Sequence, residues 1–318
     1  MTIQNLKIKI PWPFFEVNVF LIESKNEYAI IDTGLSYQDN FKKLYEFIEG
    51  TCGWNRIKFI ILTHGHPDHY GNIKDIFHNI RKIPILLHPK DNDRVLEIPK
   101  EERKEGAIFA YEYLAKNGVP EDKLEIIKEQ SKSYFTSKYR IQKEDVFFQD
   151  EIQIGETTLK VFQTPGHTPG HVILYDEKNG TVFAGDHVFS KGFPVPLLFF
   201  TKKEDRFQNL PAWISSLKIL EQLDIKVVYP GHLEPIYEIK AVVSKMKERV
   251  EKMKKKVYDI VSTQPITIYE IGQKLYPNVP DEFWSFKFSE AQGYIDLLKN
   301  ENLIKSSEEN SKIYYEKI

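Results

Sequence analysis

Four segments rich in β-forming residues each end in a glycine-containing turn that carries histidine or aspartate. The first is "IKFIILTHGHPDH", which places three histidines and an aspartate within six consecutive positions. The other three end in "TPGH", "AGD" and "YPGH". Residue types that ligate metals therefore recur at predicted strand ends far apart in the chain, which favours a fold that brings these ends together. The candidate ligands are His64, His66, Asp68, His69, His167, Asp186 and His232.

The spacing within the first segment indicates room for two metal ions. His64 and His66 lie two positions apart, so in an extended or sharply turned loop both imidazoles can face one ion. Asp68 and His69 follow on the next turn and can face a second ion. A single loop histidine is more often a solvated surface group, but four such residues in six positions form a specific pattern. Imidazole and carboxylate ligands suit zinc, and also iron or manganese.

The overall composition indicates a globular protein without disulfides. The 318 residues are 41% hydrophobic and 28% charged, and the formal net charge of -2 does not dictate a partner. Cys52 is the single cysteine, which excludes an intramolecular disulfide and zinc sites built on thiolate pairs. No run approaches the roughly 18–20 apolar residues of a membrane span, and Pro11, Pro13 and Glu16 interrupt the N-terminal apolar stretch. We therefore expect a soluble, cytoplasmic protein without a membrane partner.

The length of the chain predicts two unequal domains. Short β-type runs alternate with helical patterns over the first half, which favours a layered α/β domain. Between about residues 91 and 143 the sequence becomes charged and helix-favouring, and "EGAIFAYEYLAKNG" and "DKLEIIKEQSKSYF" predict two amphipathic helices around Gly118 and Pro120. We therefore predict a first domain of residues 1–236 with a helical insertion at about 91–143.

Local signals predict two further features of this domain. Ser36 and Asp39 resemble an N-cap pair for a helix of about residues 37–49. Asn179-Gly180 between two apolar runs predicts a hairpin with a type I′ turn.

The remaining residues, 237–318, predict a second domain that begins with a lysine-rich helix. Thr267 with Glu270, and Ser289 with Gln292, fit the capping-box spacing and so predict the starts of two shorter helices. The last segment, "LIKSSEENSKIYYEKI", contains two strand-like runs around a polar turn. The order helix, helix, hairpin predicts a winged-helix-like domain.

The order of the seven candidate ligands resembles that of the metallo-β-lactamase superfamily, in its glyoxalase II-like and lactamase-like members. The resemblance covers about residues 8–235. It implies an α/β fold of four layers, an αβ/βα sandwich, with the site at one edge of two facing sheets. The implied metal ligands are His64, His66 and His167 on one ion, Asp68, His69 and His232 on the other, and Asp186 bridging both.

The resemblance implies a binuclear metal-dependent hydrolase in which a hydroxide bridging two divalent ions, zinc for preference, attacks a small ester, thioester or related substrate. Asp68 is the predicted catalytic residue, which orients that hydroxide or shuttles its proton. His66 stands where flavodiiron oxygen reductases have glutamate, and Asp186 stands where zinc β-lactamases have cysteine or serine, so neither of those functions is expected. Two alternatives stay open, namely a single-strand endoribonuclease of the lactamase-like type and a mononuclear iron dioxygenase.

Other polar residues carry weaker signals. Asp32 in "IIDTG" matches a strand-end aspartate that orients ligands in this family, with a plain turn residue as an equal alternative. His171 and His187 lie near ligands in sequence, and a hydrogen-bonded structural role is favoured for both. His78 and His88 are predicted to be surface or strand-end residues.

Two segments bear on substrate and partners. "SKGFPVPLLFF", together with Trp12, Phe14 and Phe15, predicts an apolar lid that favours esters or thioesters with organic tails, with core packing as an equal alternative. The lysines of the C-terminal helix leave nucleic acid open as a partner, although a solvated helix face is favoured. The expected partner is a small-molecule substrate, and a homodimer is also left open.

Overall fold

The chain forms two compact units. The computed structural model describes residues 1–11, 16–97, 99–126, 141–194, 198–200, 206–261 and 264–318. The first unit comprises Met1–Glu97, Ser137–Pro194 and Ser216–Val243, and the second comprises Ile98–Thr136, Val195–Ser215 and Ser244–Ile318. Among the described residues, no helix combines the length and the apolar character needed to cross a bilayer.

The described strands are short, and most belong to two sheets. They are β1 (Thr2–Lys9), β2 (Glu16–Ser24), β3 (Glu27–Ile31), β4 (Ile57–Ile61), β5 (Ile85–Leu86), β6 (Val146–Phe147), β7 (Glu151–Ile154), β8 (Thr157–Gln163), β9 (Val172–Asp176), β10 (Thr181–Gly185), β11 (Phe199–Phe200), β12 (Arg206–Phe207), β13 (Val227–Pro230), β14 (Ile304–Glu309) and β15 (Lys312–Lys317).

The described helices range from one turn to six turns. They are α1 (Asn40–Thr51), α2 (Pro67–Tyr70), α3 (Ile73–Asn79), α4 (Asn92–Val95), α5 (Lys100–Lys116), α6 (Asn209–Gln222), α7 (Ile239–Ile260), α8 (Ile268–Leu275) and α9 (Trp284–Asn300). Residues 121–126 are also helical.

The first sheet holds β1 to β6 in sequence order. Pairing is antiparallel from β1 to β3 and parallel from β3 to β6. Residues 17–22 of β2 are all buried, as expected for a strand covered on both faces. One core of this sheet includes Leu44 and Ile48 of α1 and Ile73 and Ile76 of α3, so these helices cover one face.

The second sheet has the order β13-β10-β9-β8-β7. Its neighbours are antiparallel except for β10 and β13, which run parallel. Leu174 and Phe183 of this sheet share a core with Phe20, Ile22 and Ile31 of the first sheet. The two sheets therefore pack face to face within the first unit, and the predicted layered α/β architecture is confirmed.

The second unit has its own apolar core. In α7, Met246, Val250, Met253 and Val257 are buried at intervals of three or four residues, which is the spacing of an amphipathic helix. The helices α8 and α9 are followed by the hairpin of β14 and β15.

Two predicted helix starts are wrong. The first helix, α1, begins at Asn40, and Asp39 makes no capping hydrogen bond with the described residues of this helix. The Ser36 hydroxyl instead donates to Asp75 Oδ2 at 2.6 Å. The helix predicted to start at Ser289 begins earlier, at Trp284, because Ser289 is buried inside α9.

Other local predictions are confirmed wholly or in part. Thr267 and Glu270 form the predicted capping box of α8. The hairpin of β9 and β10 is present, but its four-residue connection rules out the two-residue type I′ turn. There, Asp176 Oδ1 accepts from Asn179 N, and Gly180 alone has a positive φ, of 63°, among the described residues of the turn.

Some predictions fall outside the described residues. These are the lid residues Trp12, Phe14 and Phe15, residues 195–197 of the proline-broken segment, and residues 127–140 of the helical insertion. Within the described part of the insertion, α5 ends near Gly118, whose φ of 89° suits the predicted break between two helices.

Candidate metal centre

The histidine-rich loop connects β4 to the short helix α2. His66 stands at the N-cap position and is followed by Pro67 at the first helical position, so Asp68 and His69 lie in a single turn. His64 and His69 are fully buried, whereas His66 and Asp68 are partly exposed. The loop thus presents two buried and two accessible side chains.

Three imidazole nitrogens meet at one point. His66 Nδ1 lies 3.1 Å from His64 Nε2 and 2.9 Å from His167 Nε2. The loop after β8 supplies His167, which is 101 residues from His66 in sequence. Each of these nitrogens presents a lone pair in the neutral tautomer that carries its proton on the other ring nitrogen, so this arrangement matches three ligands of one cation.

Asp186, which follows β10, lies at the middle of the remaining candidates. Its Oδ2 is 3.4 Å from His167 Nε2 and 3.4 Å from His232 Nε2, and its Oδ1 is 3.4 Å from His69 Nε2. Asp68 Oδ2 lies 3.4 Å from His232 Nε2 and 3.8 Å from His69 Nε2. The structure therefore brings all seven predicted ligands together at one edge of the two sheets.

These residues fit divalent metal ions. Three groups each have ligand atoms within 4.8 Å of one another. Within the described chain, the buried atoms His69 Nε2 and Asp186 Oδ1 have no hydrogen-bond partner, which is costly unless a cation satisfies them. The three groups are His64, His66 and His167; His64, His69 and Asp186; and Asp68, His69 and His232.

Burial keeps the three-histidine group neutral. It is the largest cause that holds the pKa of His64 and of His66 well below the usual range, and it lowers the pKa of His167 to about 4. Neutral imidazole is the form that ligates a metal.

The buried carboxylates of the centre need a compensating positive charge. Burial alone would raise the pKa of Asp186, but the imidazoles of His232 and His69 hold it well below its usual range. Burial alone would lower the pKa of His232, but the Asp186 carboxylate raises it to about 10. A divalent cation supplies the same compensating charge and leaves both imidazoles free to act as ligands.

Asp32 orients the histidine-rich loop. Its backbone has a φ of 59°, an uncommon conformation that turns the chain sharply after β3. Oδ1 accepts from Thr63 N at 2.9 Å, and Oδ2 lies 2.7 Å from His69 Nδ1. This geometry favours the orienting role over that of a plain turn residue, because it directs His69 Nε2 towards Asp186.

Two further histidines have structural contacts. His171 Nε2 accepts from Asp186 N at 3.1 Å, and its Nδ1 lies 2.8 Å from Thr164 Oγ1. The fully buried His187 ring lies 5.9 Å from the His171 ring, centroid to centroid, and burial lowers its pKa to about 3. Both observations favour the structural role, which for His171 includes fixing the backbone of Asp186.

The remaining histidines differ from each other. His78 is exposed at the end of α3, as predicted. Of the two predicted positions for His88, the strand-end position is confirmed, since it lies two residues after β5; its ring is buried, accepts from Lys90 N at 3.2 Å and packs edge-on against Phe148.

Two residues that hold the loops of this centre were not predicted from the sequence. Asp91 is fully buried and accepts hydrogen bonds from Gly65 N and Gly170 N, each at 2.7 Å. Asn18 Nδ2 donates to Leu233 O at 2.9 Å, and so holds the backbone beside His232. Asn18 interrupts an apolar run, and Asp91 comes shortly after the buried strand β5, which are the signals that could have revealed them.

Comparison with known proteins identifies relatives of this chain. Residues 12–232 match the family model described as the metallo-beta-lactamase superfamily. The chain is 27% identical to the probable metallo-hydrolase YqjP of Bacillus subtilis over 98% of this chain and 97% of that protein. It is 20% identical to the atrochrysone carboxyl ACP thioesterase of Aspergillus chevalieri over 83% of this chain and 69% of that protein.

A solved structure has the same fold over nearly the whole chain. The metallo-beta-lactamase family protein TTHA1429 from Thermus thermophilus superposes with a TM-score of 0.79 at 24% identity, covering 99% of this chain and 98% of the other. At this identity the likeness concerns the fold.

Proposed function

Because the chain belongs to the metallo-β-lactamase superfamily, we propose that its seven-residue centre holds two divalent metal ions and hydrolyses a small ester or thioester. The chain is a metal-dependent hydrolase of this superfamily, whose relatives include proteins named as a metallo-hydrolase and a thioesterase. The observation that carries the binuclear proposal is the position of Asp186, which reaches both the three-histidine group and the group of Asp68, His69 and His232.

The proposed ligand sets follow the geometry of these two groups, and Zn²⁺ is the preferred metal, with iron or manganese as alternatives. When bound, a pair of divalent ions supplies Lewis acidity that lowers the pKa of a water from about 15.7 towards 7. The sets are His64, His66 and His167 for one ion, Asp68, His69 and His232 for the other, and Asp186 for both.

The protein's own groups prepare that chemistry. Asp68 is the proposed catalytic residue, and we assign it to orient the attacking water and take its proton. It is the partly exposed carboxylate of the centre, with a side chain 13% exposed, whereas the Asp186 side chain is 8% exposed. His232 Nδ1 lies 2.7 Å from Glu16 O and donates to it, which keeps His232 Nε2 turned towards both carboxylates.

An aromatic side chain against one candidate ligand favours an organic substrate over free phosphate. The buried Phe189 ring packs edge-on against His232, with ring centroids 5.7 Å apart. The name of the Aspergillus relative adds support for a thioester. We therefore propose an ester or thioester with an organic tail and a small-molecule partner rather than nucleic acid.

We also propose a catalytic domain of residues 1–236 and a winged-helix-like domain of residues 237–318, although the compact units divide differently, because Ile98–Thr136 and Val195–Ser215 belong to the second unit. The order of α8, α9 and the β14–β15 hairpin supports this assignment. In addition, Ile266 forms an isolated antiparallel β-bridge with Tyr315 of β15 beside the hairpin.

The test combines metal analysis with a substrate panel. Protein purified with added zinc is expected to hold about two zinc ions per chain and to hydrolyse thioesters or aryl esters. Asp186→Asn is expected to weaken metal binding by more than the roughly 10–100-fold typical of losing a supporting contact, and to abolish turnover. Asp176→Asn is the matched control, because Asp176 is a buried aspartate at the far end of β9 from the centre.

Other results would overturn the proposal. A single tightly held iron with oxygen-dependent turnover would indicate the dioxygenase alternative. Cleavage of single-stranded RNA without ester or thioester hydrolysis would indicate the nuclease alternative. Full activity in Asp186→Asn would show that the centre takes no part in the reaction.

A further inference from the structure

Asp91 joins the two loops that supply the three-histidine group. Its Oδ2 accepts from Gly65 N at 2.7 Å and from the Thr168 hydroxyl at 2.6 Å, while its Oδ1 accepts from Gly170 N at 2.7 Å. Gly65 lies between His64 and His66, and Thr168 follows His167. One carboxylate therefore fixes the backbone of both loops, immediately beside all three histidines.

The backbone approaches Asp91 closely at the two glycines. A Cβ on Gly65 would lie 3.0 Å from Arg94 Cβ, 3.2 Å from Asp91 Cβ and 3.3 Å from Asp91 O, so these neighbours would have to shift slightly. A Cβ on Gly170 would lie 2.7 Å from both Asp91 N and Asp91 Oδ1, which is too close for a side chain. Contact with Asp91 thus explains Gly170 independently of any metal, and Asp91 together with Arg94 favours glycine at position 65.

Asp91 itself is held by a short rigid segment. It ends the 3-10 turn Pro89–Asp91, whose start is capped by the buried His88 ring. The next helix, α4, is tied to the histidine-rich loop because the Tyr70 hydroxyl donates to Arg94 O at 3.0 Å. A carboxylate on such a support can set a distance between two loops.

We propose that Asp91 is a positioning residue that sets the separation of His66 and His167 and thereby assembles the three-histidine group for its metal ion. This inference rests on the proposed function, since it assigns an ion to that group. It also distinguishes the two ions, because Asp91 contacts neither the loop of Asp186 nor that of His232 among the hydrogen bonds of the described residues.

The chemistry of the side chain makes the inference specific. Both Asp91 oxygens accept from backbone N–H groups that belong to different loops. An asparagine keeps one acceptor oxygen, and its amide group must then face the N–H of Gly65 or of Gly170, donor against donor. Asp91→Asn can therefore hold one loop but not both, although its volume is unchanged.

The experiment titrates Zn²⁺ into the metal-free full chain against a competing chromophoric chelator, and measures amide hydrogen exchange of the same samples by NMR. In Asp91→Asn we expect one zinc equivalent to bind about 10–100-fold more weakly while the other keeps its wild-type affinity. Faster exchange of the Gly65 or Gly170 amide is expected in the same variant. Asp176→Asn is expected to leave both zinc affinities and both amides unchanged.

A second pair of variants covers the case in which Asp91→Asn does not fold. Thr168→Val removes the donated hydroxyl and keeps the shape, whereas Thr168→Ser keeps the hydroxyl, so the valine variant should weaken one zinc equivalent and the serine variant should restore it. Unchanged zinc affinities in Asp91→Asn or in Thr168→Val would overturn the inference alone. A wild-type chain that binds no zinc, iron or manganese would overturn the proposed function as well.

Discussion

One buried polar cluster in each unit shows two opposite ways of burying polar groups. In the second unit, Arg206 pairs with Asp296 and donates through Nε to the Tyr113 hydroxyl at 3.0 Å, while Gln292 donates to Asp296 Oδ1 at 2.9 Å. In the first unit, imidazole nitrogens face one another and face carboxylates. In the second unit donors meet acceptors, although Asp296 Oδ2 has no partner among the described residues, whereas in the first unit the candidate ligand atoms converge.

This difference separates a structural cluster from a metal centre. A buried network in which donors face acceptors is held by its own hydrogen bonds, and its removal affects stability. A buried cluster with converging lone pairs is stable only when a positive charge joins it. The number of buried polar residues would not have told these two clusters apart, but their donor and acceptor geometry does.

Removing the metal should produce the largest effect. It also tests whether the two clusters differ, because only the candidate metal centre should respond. After dialysis against a chelator, we expect no hydrolysis and faster hydrogen exchange in residues 62–69 and 164–171, with unchanged exchange in α9. Zinc at about 1,000 times its Kd stabilises a site by about 4.1 kcal/mol, so thermal stability should rise when zinc is returned. Equal acceleration in both units would contradict the contrast.

The next effect concerns the buried ion pair of Arg206 and Asp296 in the second unit. Asp296→Ala leaves the largely buried Arg206 guanidinium without its carboxylate, and should lower the free energy of unfolding by about 3–5 kcal/mol in a denaturant titration. Zinc affinity should not change. The double variant Arg206→Met with Asp296→Leu removes both charges and should recover much of the lost free energy of unfolding. If the double variant instead loses more stability than Asp296→Ala, this would be evidence against a simple ion pair.

A smaller effect is expected at the edge of the metal centre. Asp32→Asn replaces one of the two oxygens that hold Thr63 N and His69 Nδ1, so it should weaken zinc binding by about 10–100-fold, or about 1.4–2.8 kcal/mol. Competition with a chelator measures this change, and Asp176→Asn again provides the control. A wild-type zinc affinity in Asp32→Asn would show that Asp32 is a plain turn residue.

Local patterns predicted the ligands but not what holds them. His167, Asp186 and His232 each follow a β-type run and a glycine, so a reading of neighbouring residues was enough to find them. Asp91 was missed because its position shortly after β5 is its one local signal, while its hydrogen-bond partners lie 26, 77 and 79 residues away.

The same limit explains the errors in element boundaries. Ser289 has the spacing of a helix start, yet it is buried within α9, where tertiary packing overrides the capping preference. Thr267 has the same kind of spacing and does cap α8. A capping pattern therefore marks a helix start only where the tertiary fold places the capping residue at the end of a helix and not inside it.

The smallest effect is expected on the surface of the second unit, where charge lies outside both buried clusters. Lys245, Lys252 and Lys255 are exposed on α7, and replacing all three with glutamate should change ester or thioester turnover by no more than about twofold. Turnover and binding of a single-stranded oligonucleotide would be measured in parallel at several salt concentrations. If this helix instead binds a phosphate backbone, the same variant should weaken oligonucleotide binding and flatten its salt dependence by about one unit of slope for each lost contact. If turnover is unchanged in the variant, and neither wild type nor variant binds the oligonucleotide measurably, the chemistry of the protein lies entirely in the first unit. The lysines then form a solvated helix face.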